Sequence, residues 1–182
     1  DIVGQVFSKP LAELIARHAR ATQDYLEYRR ELEGLTAELA ARRATANDRA
    51  ILTAVIQRMK AAHENGNFDE ELASDIELHN AIGEAAHNII LMHTMRACYR
   101  LLTQGIFYHR QMVFETSGAR DRLLAQHLAI HDAVMAGEPE KARQAAEAHI
   151  DYIIGAMRDA ERSGEWARVS HLRLIQREGK PS

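Results

Sequence analysis

Apolar residues recur at three- and four-residue intervals along most of this chain, the spacing that places side chains on one face of an α-helix. Leu26, Leu32, Leu35 and Leu39 mark one such stripe, and Leu72, Ile76, His79 and Ile82 another. No strand-like pattern, Gly-rich phosphate loop or fixed-period repeat interrupts it. The pattern predicts an irregular lead-in over 1–8 and a short helix to about Arg20, with Pro10 in its first turn. A long helix follows from about Thr22 to Arg43. Thr45 to Asp48 signals the next start, with Asp48 as a favourable first-turn acid. That helix runs to about His63 and stops at Asn65-Gly66-Asn67, a C-cap and turn signature. Phe68 to about Ala86 forms another, and Asn88 begins one that extends past Leu102, with a break around Ser117-Gly118. Helices at about 119–136 and 139–162 flank a turn at Gly137-Glu138-Pro139. Residues 164–182 read as a short terminal helix and a frayed end, where Trp166 packs on the bundle or on a partner. The expected fold is all-α, an antiparallel bundle of six or seven helices.

Composition bounds this picture without changing it. A chain of 182 residues suits one domain with a real core. With 46% hydrophobic and 27% charged residues, it has the balance of a soluble globular protein. The formal charge of −3 gives no global sign of nucleic-acid binding by this segment. A single cysteine, Cys98, excludes an internal disulfide and fits a reducing, cytoplasmic location. No apolar run reaches transmembrane length and no signal peptide is visible, so no membrane partner is expected. The first residue is Asp1 rather than Met, as in a fragment or a processed form.

Four residues carry the candidate chemistry. Asp75 and His79 lie four apart in DIELH and share a helix face. His127 and His149 lie 22 apart on the two arms of a helix–turn–helix segment, where antiparallel arms bring them level. One carboxylate and three imidazoles suit a borderline divalent metal such as zinc. Asp75 with His79 alone reads as a surface pair, and His131, four after His127, competes as a ligand. His87 and His93 read as packing or hydrogen-bonding residues, and Cys98 as a small core residue. Glu84-x-x-His87 is one quarter of a ferritin-like di-iron site, but no second copy is present.

Taken in order, these segments resemble the FCD domain, the C-terminal effector-binding domain of FadR-type GntR transcription regulators. The resemblance covers about residues 9–160. Arg29 through Glu33 and on to LAARRAT matches the family's Arg-x3-Glu, Leu-Ala-Ala and Arg-Ala-Thr pattern. Asp75-x3-His79 is followed by Ala81-Ile82 and Asn88, and QHLAIHDAVMAGEPEKARQAAEAH places His127 and His149 on the two later ligands. Leu78 stands where the family usually has an aromatic, and Gln126 where it often has Glu; neither change removes a ligand. AHNIILMHTMR is most similar to the branch that includes regulators of pyruvate, lactate and glycolate metabolism.

The resemblance implies a homodimeric sensor with a lead-in over 1–8, the ligand-binding bundle over 9–162 and a tail over 163–182. It implies a metal at the centre, zinc before nickel, manganese or iron, and an organic acid of the pyruvate, lactate or glycolate kind at its open positions. Such a metal makes burying an anion tolerable. Arg29 is the first candidate for the acid's carboxylate, before Arg96 and Arg100. Arg29 also reads as the partner of Glu33, one turn away. Asn88 is a candidate hydrogen-bond donor to the effector, or simply a helix N-cap. Operator DNA is expected to be bound by a winged helix-turn-helix domain outside these residues. Two other classes stay open, a metalloenzyme in which an Asp/His3 site activates water and a metal-stabilised dimerisation module.

Overall fold

The computed structural model of the chain describes residues 2–18, 20–103 and 118–178. Among these it contains seven helices and no strand. They are α1 (Ile2–Arg17), α2 (Ala21–Arg43), α3 (Ala46–Glu64), α4 (Phe68–Ala85), α5 (Ile89–Thr103), α6 (Ala119–Ala136) and α7 (Pro139–Glu178). Ser117 and the side chain of Trp166 lie outside the described residues.

Local chemistry sets most boundaries. Thr45 and Asp48 form a reciprocal capping box at the start of α3, with Asp48 N donating to Thr45 Oγ1 at 3.2 Å and Thr45 N to Asp48 Oδ2 at 2.8 Å. Asn67 Oδ1 accepts from Glu70 N at 3.2 Å to open α4. Gly137 ends α6 at φ 66°, a left-handed turn that glycine adopts without a Cβ penalty, and Pro139 opens α7.

Two expectations fail here. Residues 2–9 continue α1 instead of forming an irregular lead-in, so Pro10 sits inside the helix. Packing on α5 offsets the cost of an interior proline: Ser8 and Ile15 are buried, and Ser8 Oγ donates to the Ala97 carbonyl at 3.4 Å. At the other end α7 runs unbroken through Ser163-Gly164. A glycine inside a helix costs only about 1 kcal/mol, too little to force a stop.

The core has two apolar clusters. One joins the C-terminal half of α2 to α3, α4, α6 and α7 through Leu52, Ile56, Leu78, Ile130 and Val134. The other joins α1, α5 and the N-terminal half of α2 through Ile15, Leu26, Met95 and Leu101. Along α2, the stripe turned inward differs from the leucine pattern. Leu35 is 38% exposed, whereas Arg29 and Glu33 are buried between Leu26 and Ala37. Two charged groups therefore face the interior, where the two clusters meet. Gly34 lets α2 and α7 approach closely, because a Cβ there would lie 2.9 Å from Glu147 Cγ.

Candidate metal centre

Asp75, His79, His127 and His149 converge. Asp75 and His79 come from successive turns of α4, His127 from the middle of α6 and His149 from α7. One donor atom from each lies within 4.8 Å of all the others, and none of the four residues is more than 3% exposed. Asp75 Oδ1 is 3.2 Å from His79 Nε2 and 3.0 Å from His127 Nε2, and those two nitrogens are 3.3 Å apart. The His149 ring centroid is 4.5 Å from that of His127 and 5.3 Å from that of His79.

The donor set fits a divalent cation. Three imidazoles and one carboxylate are ordinary ligands for zinc and its neighbours. Burial pushes the His149 imidazole well below its usual range, and the neighbouring His127 and His79 push it further. It therefore keeps a free lone pair at neutral pH. Four buried polar side chains held this close are costly unless something satisfies them together, which a cation would do.

The next layer contains residues that the sequence reading did not place at the centre. Glu33 Oε2 lies 3.0 Å from His79 Nδ1. Its other oxygen, Oε1, accepts from Arg29 Nε at 2.9 Å, Arg29 Nη2 at 2.5 Å and the Tyr99 hydroxyl at 2.8 Å. Burial would raise the Glu33 carboxyl, but the Arg29 guanidinium and His79 outweigh it and hold the carboxyl far below the usual range. The Tyr99 ring stacks on His79, with centroids 4.7 Å apart. His149 Nδ1 lies 3.0 Å from Gln126 Oε1. Glu33 and Tyr99 had a readable signal: a charged or hydroxyl-bearing residue on a buried helix face needs a partner.

The four candidate effector contacts separate. Arg29 is buried and bonded to Glu33 and Tyr99, behind His79. Asn88 caps α5, accepting from Ile90 N at 3.1 Å and Leu91 N at 3.2 Å. Arg96 and Arg100 line a cleft of about 340 Å3 between α4 and α5, together with Ile76, Asn80, Glu84 and Tyr99. Arg96 pairs there with Glu84. A second opening, lined by Asp75, His127, Met59, His63, Glu71, Arg120, Leu123 and Leu124, has a volume of about 20 Å3, room for roughly one water. The competing readings do not converge on the centre. His131 sits beside Asp132, and His87 pairs with Asp48 rather than with Glu84. Cys98 is fully buried, and burial pushes its thiol up to about 11.

Known proteins agree with this architecture. An Escherichia coli K12 protein named for regulation of the L-lactate dehydrogenase operon is 33% identical over 167 residues, which is 90% of this chain and 62% of that protein. The Glc operon transcriptional activator of the same strain is 29% identical over 160 residues, 86% of this chain and 63% of its own length. The HTH-type transcriptional regulator LutR of Bacillus subtilis is 28% identical over 147 residues, 80% of this chain and 66% of LutR. The chain thus spans a little under two thirds of the first two relatives. The solved structure of E. coli McbR/YncC shares the fold, with a TM-score of 0.66 at 18% identity over 78% of this chain and 66% of that one. No helix among the described residues is long and apolar enough to cross a membrane. The FCD domain model matches residues 24–152, and with these relatives it shows that the chain belongs to the FCD domain family.

Proposed function

We propose that this chain is the sensing domain of a transcription regulator, in which a metal held by Asp75, His79, His127 and His149 makes the domain responsive to a small organic acid. The observation that carries this reading is the convergence of those four side chains, from three helices, in a buried centre. A bound zinc, or nickel, manganese or iron in its place, would supply positive charge that favours an anionic ligand in a neighbouring cleft. The names of the relatives, which refer to lactate and Glc operons, support an acid of the pyruvate, lactate or glycolate kind.

We assign the acid to the α4–α5 cleft. Its volume falls in the usual range for ligand sites, about 300–1,000 Å3, and Arg96 and Arg100 supply guanidinium groups for a carboxylate. Tyr99 lines this cleft and also stacks on His79, so an occupant touches a residue in contact with the metal centre. Binding would bias the packing of α4 against α5 and, in a homodimer, the placement of attached DNA-reading domains on operator DNA. The boundaries of the proposed module stay at a lead-in over 1–8, a bundle over 9–162 and a tail over 163–182, although residues 2–8 begin α1 and α7 continues into the tail as far as Glu178.

Thermal shift with pyruvate, L-lactate and glycolate tests this reading. Stabilisation by one acid that a chelator abolishes and that Arg100→Gln weakens is the expected result. An undiminished response in Arg100→Gln would take the acid out of this cleft. Turnover of an acid would favour a metalloenzyme, and no response to any acid in metal-loaded protein would favour a structural metal.

A further inference from the structure

We propose that Glu33 is a positioning residue for the metal centre: it holds the proton of His79 on Nδ1 and so presents Nε2 as the ligand atom. The inference rests on the metal reading above but concerns a residue outside the four ligands. Glu33 belongs to α2, a helix that contributes none of them.

The geometry divides the work of one carboxylate between its two oxygens. Oε1 accepts the two Arg29 bonds and the Tyr99 hydroxyl, while Oε2 faces His79 Nδ1 at 3.0 Å. Nε2 is the nitrogen that faces the other ligands, 3.2 Å from Asp75 Oδ1 and 3.3 Å from His127 Nε2. A metal held there would leave the ring proton on Nδ1, where the Glu33 carboxylate, an acceptor only, is placed to take its hydrogen bond. Arg29 and Tyr99 fix the carboxylate from behind, and the Tyr99 ring stacked on His79 limits rotation of the imidazole. A carboxylate behind a ligating imidazole also makes the imidazole a stronger donor. His149 has a neutral partner instead, Gln126. Glu33 therefore gives His79 a support that His149 lacks, and Arg29 becomes part of that support instead of an effector contact.

The bland alternative is that Glu33 merely neutralises buried Arg29. Zinc affinity of the whole chain, measured by competition with a chromophoric chelator, separates the two. Glu33→Gln should weaken zinc about 10–100-fold, and Glu33→Asp should recover part of the loss. Nitrogen-15 NMR of the histidine rings in zinc-loaded protein should place the His79 proton on Nδ1 in the wild type, with the ring's nitrogen shifts changed in Glu33→Gln. A purely structural role would lower unfolding stability and leave zinc affinity and those shifts unchanged. A folded Glu33→Gln variant within twofold of wild-type zinc affinity would overturn the proposal, and so would a wild-type His79 protonated on Nε2. If Glu33→Gln does not fold, the wild-type tautomer decides alone. A wild type that takes up no zinc would sink the metal reading, whereas one that binds zinc through His79 Nδ1 would sink this proposal alone.

Discussion

Leu52, Ile56, Leu78 and Val134 fill one end of the bundle with apolar side chains, while Arg29, Glu33, Asp75 and three histidines lie beside them, just as deeply buried. The two regions hold the chain together on different terms. Each large side chain of the apolar cluster contributes about 1.5–3 kcal/mol by leaving water, and its neighbours need only be apolar and of the right size. The polar region starts from a desolvation cost that only close, oriented partners offset. It is thus a poor place to gain stability and a good place to bind a cation. Mutations in the two regions should accordingly fail in different ways.

The sharpest break lies in the centre. His127→Ala or His149→Ala should abolish stoichiometric metal binding while circular dichroism retains most of the helix signal. Full metal content in both variants would mean that other residues are the ligands. Leu52→Ala should show the reverse. It should cost about 2–5 kcal/mol in urea unfolding and still bind one metal per chain once folded. Gly34→Ala probes the seam between the regions, where the added Cβ meets Glu147 Cγ. Crowding of this kind costs about 1–3 kcal/mol, against about 1 kcal/mol of helix propensity gained on replacing glycine, so a neutral or stabilising Gly34→Ala would show that the Glu147 side chain gives way.

The smallest effect lies at the surface, in the capping box of α3. Burial would raise the Asp48 carboxyl, but bonds from the Thr45 hydroxyl and amide, together with His87, hold it below the ordinary range. Its folded pKa is therefore lower than the unfolded value of about 3.9. The linked stability is complete above that value and is lost as pH falls through the folded one. Asp48→Ala should cost about 1 kcal/mol at neutral pH, and the gap from wild type should close in acid. A gap that does not change with pH would show that the carboxylate's charge contributes nothing.

The contrast between the regions also explains what could be read from sequence. Helix ends were legible because their causes are local. Thr45 with Asp48, Asn65-Gly66-Asn67 and Gly137-Glu138-Pro139 each fix a boundary within four residues. The convergence of the four candidate ligands was legible as well, two from their spacing on one helix and two from a hairpin whose arms run side by side. Glu33 and Tyr99 were not placed there, because their partners are 46 and 20 residues away at His79 and no local pattern links them. Arg29 was offered to the effector from its place in the family pattern and to Glu33 from its position one turn away; the fold turns it inward onto Glu33, on a face of α2 that had been taken to include Leu35. The helical state of residues 2–9 was missed for a related reason, since contact with α5 overrides the local signal of Pro10.

The most direct test of the metal-based account is the metal content of the purified chain, before and after chelation and zinc reconstitution. The account predicts one ion per chain, removed by chelation, restored by zinc and lost in His149→Ala. A chain that stays free of metal after reconstitution, with its helices intact, would contradict it.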